Sequence, residues 1–212
     1  MLSDLKAIIF DLDGTLYVSN ELGREINRVA VSYIAGLKGT GTEQAAASIK
    51  EMKTEISVVS GLDTTLSMAC QELGGDLREL HRRFAEQVRP EPFLKRDERV
   101  VDLLKILSGR YELYLYTNNN LALATRIMEI IGVSRLFRKV FTIEDSWLPK
   151  PDRTAFIKIL HEIGKEPEQC MFVGDRYDVD LRLPATEGCA VFLSSSPEEL
   201  LGLLKIMNEE NI

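Results

Sequence analysis

Four short polar segments of the sequence carry side chains that could do chemistry together. In Asp11-Leu12-Asp13-Gly14-Thr15, two carboxylates stand two residues apart before a glycine, and a tight turn there would leave backbone amides free to hold an anion. The other three segments contribute a hydroxyl with amides, a lysine between two prolines, and a cluster of acids; they are Thr117-Asn118-Asn119-Asn120, Pro149-Lys150-Pro151 and Gly174–Asp180.

The acidic side chains of these segments indicate a metal site. Asp11, Asp13, Asp175 and Asp180 in one pocket would repel, since two unit charges about 4 Å apart interact with roughly 4 kcal/mol at an effective dielectric constant of about 20. A bound cation relieves that repulsion. Oxygen ligands without nearby His or Cys favour Mg²⁺, which often pairs with a phosphate. Lys150 would then balance a substrate that carries two negative charges.

The elements that must position these segments alternate between strand and helix. Short apolar runs predict buried strands at 7–10, 112–116, 140–143, 171–173 and 190–193. Helical patterns cover 97–107, 121–131 and 152–163, and Ser196-Pro197-Glu198-Glu199 predicts a capping box that opens a last helix. This alternation predicts an α/β fold with a doubly wound parallel sheet, so the polar segments should meet at the sheet's carboxyl edge.

The middle of the chain shows only helical periodicity. Apolar residues from about Glu21 to Val88 fall on single helix faces, and two of these faces are Leu22, Ile26, Val29, Tyr33, Leu37 and Ile49, Met52, Ile56, Val59. The simplest interpretation is a small all-helical insert after the first strand that lies over the carboxyl edge of the sheet. We therefore predict a core domain of residues 1–19 and 92–212 and a helical cap of residues 20–91.

Composition excludes several classes of protein. With 26 basic and 33 acidic residues the net charge is −7, which argues against a general nucleic-acid binder and against binding to an anionic membrane. No apolar run approaches the roughly 18 residues that cross a membrane. Asp4 stands where a signal peptide carries bases, and three cysteines without a CxxC spacing indicate neither disulfides nor zinc. These features favour a cytoplasmic protein.

Together, Asp11-x-Asp13-Gly14-Thr15-Leu16, Thr117, Lys150 and Gly174-Asp175-x-x-x-x-Asp180 resemble the four motifs of the haloacid dehalogenase superfamily, in order and with normal spacing. The resemblance covers essentially the whole chain, and the helical insert resembles that family's cap of the first type. This chain departs from the family pattern at Arg176 and Val179, where the family often has a small hydroxyl residue and an asparagine.

The resemblance implies a role for each motif residue. Asp11 would attack phosphorus and form an aspartyl-phosphate, while Asp13 would act as the general acid and base. Mg²⁺ would be held by Asp11, the main-chain carbonyl of Asp13 and Asp175, with Asp180 either supporting the metal or holding Lys150. The transferring phosphoryl group would be bound by Thr117, the Asn118 amide, Lys150 and the turn formed by Leu12, Gly14 and Thr15.

The sequence leaves more than one substrate and more than one reaction open. We expect a phosphatase acting on a small phosphorylated metabolite as a monomer or homodimer. Tyr17 after Thr15-Leu16 is similar to nucleotidase relatives, a hint towards nucleoside monophosphates, while phosphoglycolate and sugar phosphates remain open. A phosphomutase would use the same phosphoryl chemistry. A metal-independent dehalogenase is disfavoured by Asp13 and Asp175, and a non-catalytic binding module by the intact motifs.

Other polar residues have two interpretations each. His81, Arg82, Arg83, Arg89, Lys95 and Arg96 could supply a contact to a substrate anion, but Glu79, Glu86 and Glu91 interleave with them, which favours a solvated face of mixed charge. Trp147 could flank the pocket or pack inside the protein. Asp178 competes with Asp180 as the second acid of the last motif.

Overall fold

The structure is a computed structural model that describes residues 4–209, without the side chains of the last two. The first and last three residues of the predicted core domain lie outside this range. The described strands are β1 (Ala7–Phe10), β2 (Glu112–Tyr116), β3 (Lys139–Phe141), β4 (Cys170–Gly174) and β5 (Ala190–Leu193). The helices are α1 (Asn20–Lys38), α2 (Thr42–Ser60), α3 (Leu66–Glu72), α4 (Leu77–Gln87), α5 (Glu98–Ser108), α6 (Leu121–Ile131), α7 (Arg153–Ile163), α8 (Arg182–Thr186), α9 (Pro197–Leu201) and α10 (Leu203–Glu209).

The five strands form one parallel sheet in the order β3-β2-β1-β4-β5. The first strand is central: Phe10 is level with Leu115 of β2 and with Val173 of β4. Residues that alternate along β1 face opposite sides, so Ile8 and Phe10 pack in one apolar core and Ala7 and Ile9 in another. Cores on both faces are what a doubly wound sheet requires, and the predicted α/β fold is confirmed.

Helix caps explain why most predicted boundaries agree with the structure. The side chains of Asp97, Asn120 and Asp152 each accept a hydrogen bond from the first turn of the helix that follows. Gly132 and Gly164, both with positive φ, end α6 and α7. These local signals are readable from sequence because they depend only on neighbouring residues.

Local hydrogen bonds in two predicted segments differ from the expectation. The third strand stops at Phe141, because Thr142 caps a single 3₁₀ turn over Ile143–Asp145 and accepts a hydrogen bond from Glu144 N. In the last predicted helix, Ser196 accepts from Glu199 N, but the Glu199 carboxylate accepts from Ser195 N, one residue before the expected partner. The expected reciprocal capping box is therefore wrong in its second hydrogen bond.

Helices α1 to α4 form the predicted helical insert between β1 and α5. Their apolar faces pack on one another and join the core on one side of the sheet. Two residues assigned to these faces do not pack: Leu37 is 48% exposed and Val59 is 83% exposed. Both lie in the last turn of a helix, just before the chain leaves through Gly39 or Gly61 with positive φ. Whether the insert is a separate domain with the predicted boundaries stays a prediction.

Among the described residues, three hydrogen bonds between segments distant in sequence join the helical insert to the sheet-bearing part. Asn120 Nδ2 donates to the carbonyl of His81 over 2.9 Å, and Arg126 donates to the carbonyl of Ala85 over 2.8 Å. The amide of Asp63, between α2 and α3, donates to Asp178 over 3.2 Å. These contacts hold the insert over the carboxyl edge of the sheet. Within residues 4–209, none of the helices has the length and apolar character that crossing a membrane demands.

Candidate active site

The four polar segments meet at the carboxyl edge of the sheet. Asp11 directly follows β1, Thr117 follows β2 and Asp175 follows β4, while Lys150 reaches in from the loop that leads to α7. Together they line a cavity of about 420 Å³ whose other wall is made by the helical insert. The convergence follows from parallel pairing, which brings the ends of neighbouring strands to one edge.

Lys150 is the centre of the hydrogen-bond network. Its ammonium, in a side chain that is 3% exposed, donates to Asp11 Oδ1 and to Asp180 Oδ1, each over 2.6 Å, and to the carbonyl of Tyr116 over 3.0 Å. Burial alone would lower the pKa of Lys150, but Asp11 and Asp180 outweigh burial and raise it. The lysine is therefore charged at every physiological pH.

The Asp11 carboxylate has partners on both oxygens. Besides Lys150 on Oδ1, the hydroxyl of Thr15 donates to Oδ2 over 3.3 Å. Burial raises the pKa of Asp11 to about 7, against the opposing effect of Lys150 and with a further increase from Asp180. One lysine shared by two buried carboxylates is thus insufficient to hold Asp11 fully ionised at neutral pH, and a second cation would complete the balance.

Asp13 sits in a different environment two residues later. It accepts a hydrogen bond from the hydroxyl of Tyr17 and another from Asn119 Nδ2 over 2.6 Å. Burial raises the pKa of Asp13, more than the Tyr17 hydrogen bond and the charges of Lys150 and Arg176 lower it. A carboxyl with a raised pKa holds a proton more readily, which suits a general acid. Neither Tyr17 nor Asn119 was singled out from sequence as a partner of Asp13; their positions just after two motif residues are the signal that could have found them.

The donor set for a cation consists of carboxylate oxygens. Oxygens of Asp11, Asp175 and Asp180 lie within 4.8 Å of one another. Asp175 Oδ1 is buried and has no hydrogen-bond partner among the described residues, and burial, followed by Asp180, raises the pKa of Asp175 to about 6. Its nearest cation is the Arg176 guanidinium at 3.9 Å. A buried carboxylate oxygen without a hydrogen bond, beside two further carboxylates, fits a hard divalent ion such as Mg²⁺.

Gly14 allows the two sides of this acidic cluster to approach. Its φ is +90°, and a Cβ placed on it would lie 2.3 Å from Asp175 Oδ2. Its amide donates to the carbonyl of Tyr17 over 2.9 Å, so the expectation that this amide is free to hold an anion is wrong: the turn closes on itself. The carbonyl of Leu12 similarly accepts from Leu16 N over 3.1 Å within that turn.

Of the predicted phosphate-binding residues, Gly14, Thr117, Asn118 and Lys150 line the cavity, whereas the fully buried Leu12 and Thr15 do not. The Thr117 hydroxyl is buried and accepts a hydrogen bond from Asn119 N over 3.1 Å. Asn118 Oδ1 accepts from the amide of Lys150 over 2.8 Å, which fixes the lysine's backbone, while Asn118 Nδ2 is buried without a partner in the described part of the chain. Asn118 therefore positions Lys150 through its side chain, a contact that sequence reasoning did not foresee.

The two acids that competed for the last motif have separate surroundings. Asp180 is buried, with Oδ1 on Lys150 and Oδ2 accepting from the amide of Arg176 over 3.1 Å. Asp178 instead pairs with Arg182 and accepts from the amide of Asp63. The structure brings Asp180 to the lysine and also places one of its oxygens within 4.8 Å of oxygens of Asp11 and Asp175, which fits both roles left open for it.

The basic residues of α4 divide into two groups. Arg82 and Arg83 pair with Glu79 on the helix surface, as the mixed-charge pattern predicts. His81 does not belong to that face: it is 2% exposed, lines the cavity and lies 3.1 Å from Ser67 Oγ through Nε2. Burial lowers the pKa of His81 to about 4, so it is neutral. The expectation of a solvated histidine is wrong, because position 81 falls on the inward side of α4.

Trp147 and Lys53 differ in their relation to the cavity. Trp147 packs in a T-shaped contact with His81, with centroids 6.3 Å apart, and lies under the Arg78 guanidinium at 4.6 Å; it does not line the cavity. Lys53 of α2 does line it and was missed. Its position offered a signal, since it follows Ile49 by four residues and precedes Ile56 by three, on the inward face of the helix.

Comparison with known proteins gives consistent similarities across most of the chain. A family model described as haloacid dehalogenase-like hydrolase matches residues 5–184. A glyceraldehyde 3-phosphate phosphatase of Methanopyrus kandleri is 24% identical over 190 residues, covering 84% of this chain and 78% of that protein. A phosphoglycolate phosphatase of Photorhabdus laumondii is 25% identical over 190 residues, covering 89% and 80%. The crystal structure of a phosphatase from Thermococcus onnurineus aligns with a TM-score of 0.60 at 19% identity, covering 96% of this chain and 98% of that one.

Proposed function

The chain belongs to the haloacid dehalogenase-like hydrolases, and from this premise we propose that it is a Mg²⁺-dependent phosphatase that hydrolyses a small phosphomonoester through an aspartyl-phosphate on Asp11. The phosphatase names of its relatives support this reaction. The single observation that carries the proposal is the Lys150 ammonium held between the carboxylates of Asp11 and Asp180, beside an Asp175 oxygen that accepts no hydrogen bond from the described residues. This arrangement places a charged donor next to a candidate cation site.

Asp11, the main-chain carbonyl of Asp13 and Asp175 would hold the magnesium ion. When bound, the ion neutralises charge on the phosphoryl oxygens and on the surrounding carboxylates. Asp180 has both oxygens engaged, by Lys150 and by the amide of Arg176. We infer that it holds the lysine and, because one of its oxygens lies within 4.8 Å of oxygens of Asp11 and Asp175, also supports the metal site.

The chain's own residues divide the reaction into two displacements. In the first, an Asp11 oxygen forms a bond to phosphorus as the bond from phosphorus to the ester oxygen breaks, and Asp13 gives its proton to that oxygen. In the second, Asp13 takes a proton from water as the water oxygen attacks phosphorus and the Asp11 carboxylate leaves. Lys150 and the Thr117 hydroxyl donate to the phosphoryl oxygens, where preorganised donors stabilise the developing charge.

Tyr17 and Asn119 serve this cycle by fixing Asp13. Both hydrogen bonds to its carboxyl come from side chains on separate segments, one after β1 and one after β2. The helical insert covers the cavity opposite these residues and limits the access of bulk water, which favours transfer to the ester's leaving group and to one bound water.

Hydrolysis of p-nitrophenyl phosphate tests the proposal. The purified protein should release p-nitrophenol and inorganic phosphate with added Mg²⁺, and a chelator should abolish the release. A panel of phosphorylated metabolites should then give at least one substrate with a higher kcat/KM. Isomerisation of a sugar phosphate without release of phosphate would favour the phosphomutase alternative. Inertness towards the whole panel would favour a binding module.

A separate prediction concerns magnesium and stability. Added Mg²⁺ should raise the melting temperature at pH 8 and much less at pH 5, because binding requires ionised carboxylates and the pKa values of Asp11 and Asp175 are raised to about 7 and about 6. Without the ion, both groups favour the folded state below their ordinary pKa and lose that contribution as the pH rises through 6 and 7. An ion at a hundred times its dissociation constant adds about 2.7 kcal/mol.

Differential scanning fluorimetry at the two pH values measures the effect. Asp175→Asn should lose the shift, whereas Asp178→Asn, which alters an acid three residues further on that lies outside the cavity, should keep it. An equal shift at pH 5 and pH 8, or a full shift in Asp175→Asn, would contradict the assigned ligands.

We further propose a cytoplasmic protein that acts as a monomer or homodimer on a small phosphorylated metabolite. Its acidic net charge of −7 and its three cysteines, all buried and unbridged, support this view. The cavity of about 420 Å³ is the size of a small-molecule site.

A further inference from the structure

One cation in the cavity has no place in the mechanism above. Lys53 lies on α2 and its half-buried side chain lines the cavity from the side of the helical insert. It is the only formally charged side chain that α1 to α4 contribute to the described lining; the insert's other polar lining groups are neutral, among them Thr65, Ser67 and His81. A lone charge on this wall needs a specific explanation.

Lys53 differs from the other lining cations in having no acidic partner. Lys150 is held by Asp11 and Asp180, and the Arg176 guanidinium lies 3.9 Å from Asp175. Among the described residues, no carboxylate forms an ion pair with Lys53. Its helix neighbours Lys50 and Glu51 do not line this cavity. An ammonium that is partly removed from water without a counter-charge gains most from an anion that enters the cavity.

The transferring phosphoryl group already has its donors at the other wall. Lys150 and Thr117 lie at the strand ends with the nucleophile, whereas Lys53 is carried by a helix of the insert. The two lysines thus mark two walls of one small cavity. A ligand that carries negative charge at two points would satisfy both.

We propose that Lys53 binds a second anionic group of the substrate, a carboxylate or a second phosphate, and so selects short phosphomonoesters with two negative centres. Arg176, which also lines the cavity and is 40% exposed, adds positive potential to the same space. The proposal rests on the proposed function, because it assumes that the first phosphate is bound at Asp11 and Lys150. It makes Lys53 a specificity-determining residue, without a part in bond breaking.

Three matched compounds test the proposal. 2-Phosphoglycolate carries a carboxylate, ethylene glycol bisphosphate carries a second phosphate, and 2-hydroxyethyl phosphate has a neutral hydroxyl at the same distance. Wild type should show a higher kcat/KM for at least one of the two compounds with an anionic second group than for 2-hydroxyethyl phosphate, and the preferred compound identifies the anion. Lys53→Met should lower that kcat/KM about 10- to 100-fold, mainly through KM, the magnitude of a charge-assisted hydrogen bond.

The neutral compound and a matched variant supply the controls. Lys53→Met should hydrolyse 2-hydroxyethyl phosphate as wild type does, since the chemistry at Asp11 is unchanged. Lys50→Met makes the same change three residues earlier on the exposed side of α2 and should leave all three kcat/KM values unchanged. Lys53→Arg should retain most of the preference, because it keeps the charge. An equal loss on charged and neutral compounds, or an unchanged preference, would overturn the proposal.

Equilibrium binding separates this proposal from the proposed function. Calorimetry on the Asp11→Asn background measures the affinity for intact 2-phosphoglycolate, ethylene glycol bisphosphate and 2-hydroxyethyl phosphate, with and without Lys53→Met. If 2-phosphoglycolate or ethylene glycol bisphosphate binds more tightly than 2-hydroxyethyl phosphate, and Lys53→Met removes this difference, the subsite is supported even if no turnover is found. Equal binding of all three compounds refutes it even if wild type proves to be an active phosphatase.

Discussion

Asp11→Asn is expected to reduce phosphomonoester hydrolysis by roughly 10⁴-fold or more while leaving the protein folded, a loss of the size found when a covalent nucleophile is removed. The amide has no ionised oxygen to attack phosphorus. The replacement is nearly isosteric, and Lys150 keeps its bond to Asp180 over 2.6 Å and its bond to the Tyr116 carbonyl. The loss should therefore appear in kcat.

Steady-state kinetics with p-nitrophenyl phosphate and rapid-quench detection of phosphoprotein measure this result. Wild type should give an acid-stable, hydroxylamine-labile acyl phosphate, and Asp11→Asn should give none. Asp178→Asn is the matched control, since Asp178 pairs with Arg182 and lies outside the cavity. Turnover within tenfold of wild type in Asp11→Asn would show that another group attacks phosphorus.

The sheet was predictable because each strand is marked by a local apolar run, and because parallel pairing of such strands follows general rules. The apolar run Ala7–Phe10 ends at an acid, and its burial on both faces follows from its central place between β2 and β4. Thr142 and Ile143 continue the apolar pattern of β3 just as well, yet they leave the strand. The hydroxyl of Thr142 caps the next turn, and a strand-like pattern does not reveal that competition.

The candidate site was predictable in its acids and its lysine, but less so in their partners. Sequence spacing left Asp178 and Asp180 as competitors, and three-dimensional contact with Lys150 separates them. The amide of Gly14 was expected to be free, but it closes its own turn onto Tyr17. Motif residues follow strands and are placed by the sheet, whereas hydrogen-bond partners depend on packing between distant segments.

The helical insert was the hardest part to interpret. Its periodicity predicted helices, but a charged or polar residue on a helix is normally assigned to the solvent-exposed face. Lys53 and His81 instead lie on the inward faces of their helices. Both lie among apolar neighbours on their helices. A polar residue on an apolar face is therefore the more informative observation, since burying it without a partner is costly.

Lys150→Met is expected to lower the free energy of unfolding by about 3–5 kcal/mol at pH 8 in the presence of a chelator, besides abolishing activity, because removal of one partner leaves buried charges uncompensated. Lys150 is 3% exposed and contacts two buried carboxylates, Asp11 and Asp180. Without its charge, the pKa of Asp11, already raised to about 7 by burial, must rise further. Lys105→Met, which removes an exposed lysine paired with Asp102, should cost less than about 1 kcal/mol.

The pH dependence of that loss distinguishes charge from packing. An acid with a raised pKa favours the folded state when protonated, so the folded variant should recover stability as the pH falls from 8 to 5 and Asp11 takes up a proton. Urea denaturation of wild type and Lys150→Met at both pH values measures the difference between them, which should shrink at pH 5. A methionine fills similar volume, so a loss caused by packing alone would be the same at both pH values. If the difference in the free energy of unfolding between wild type and Lys150→Met is the same at pH 8 and pH 5, the burial of Asp11 and Asp180 does not depend on the charge of the lysine.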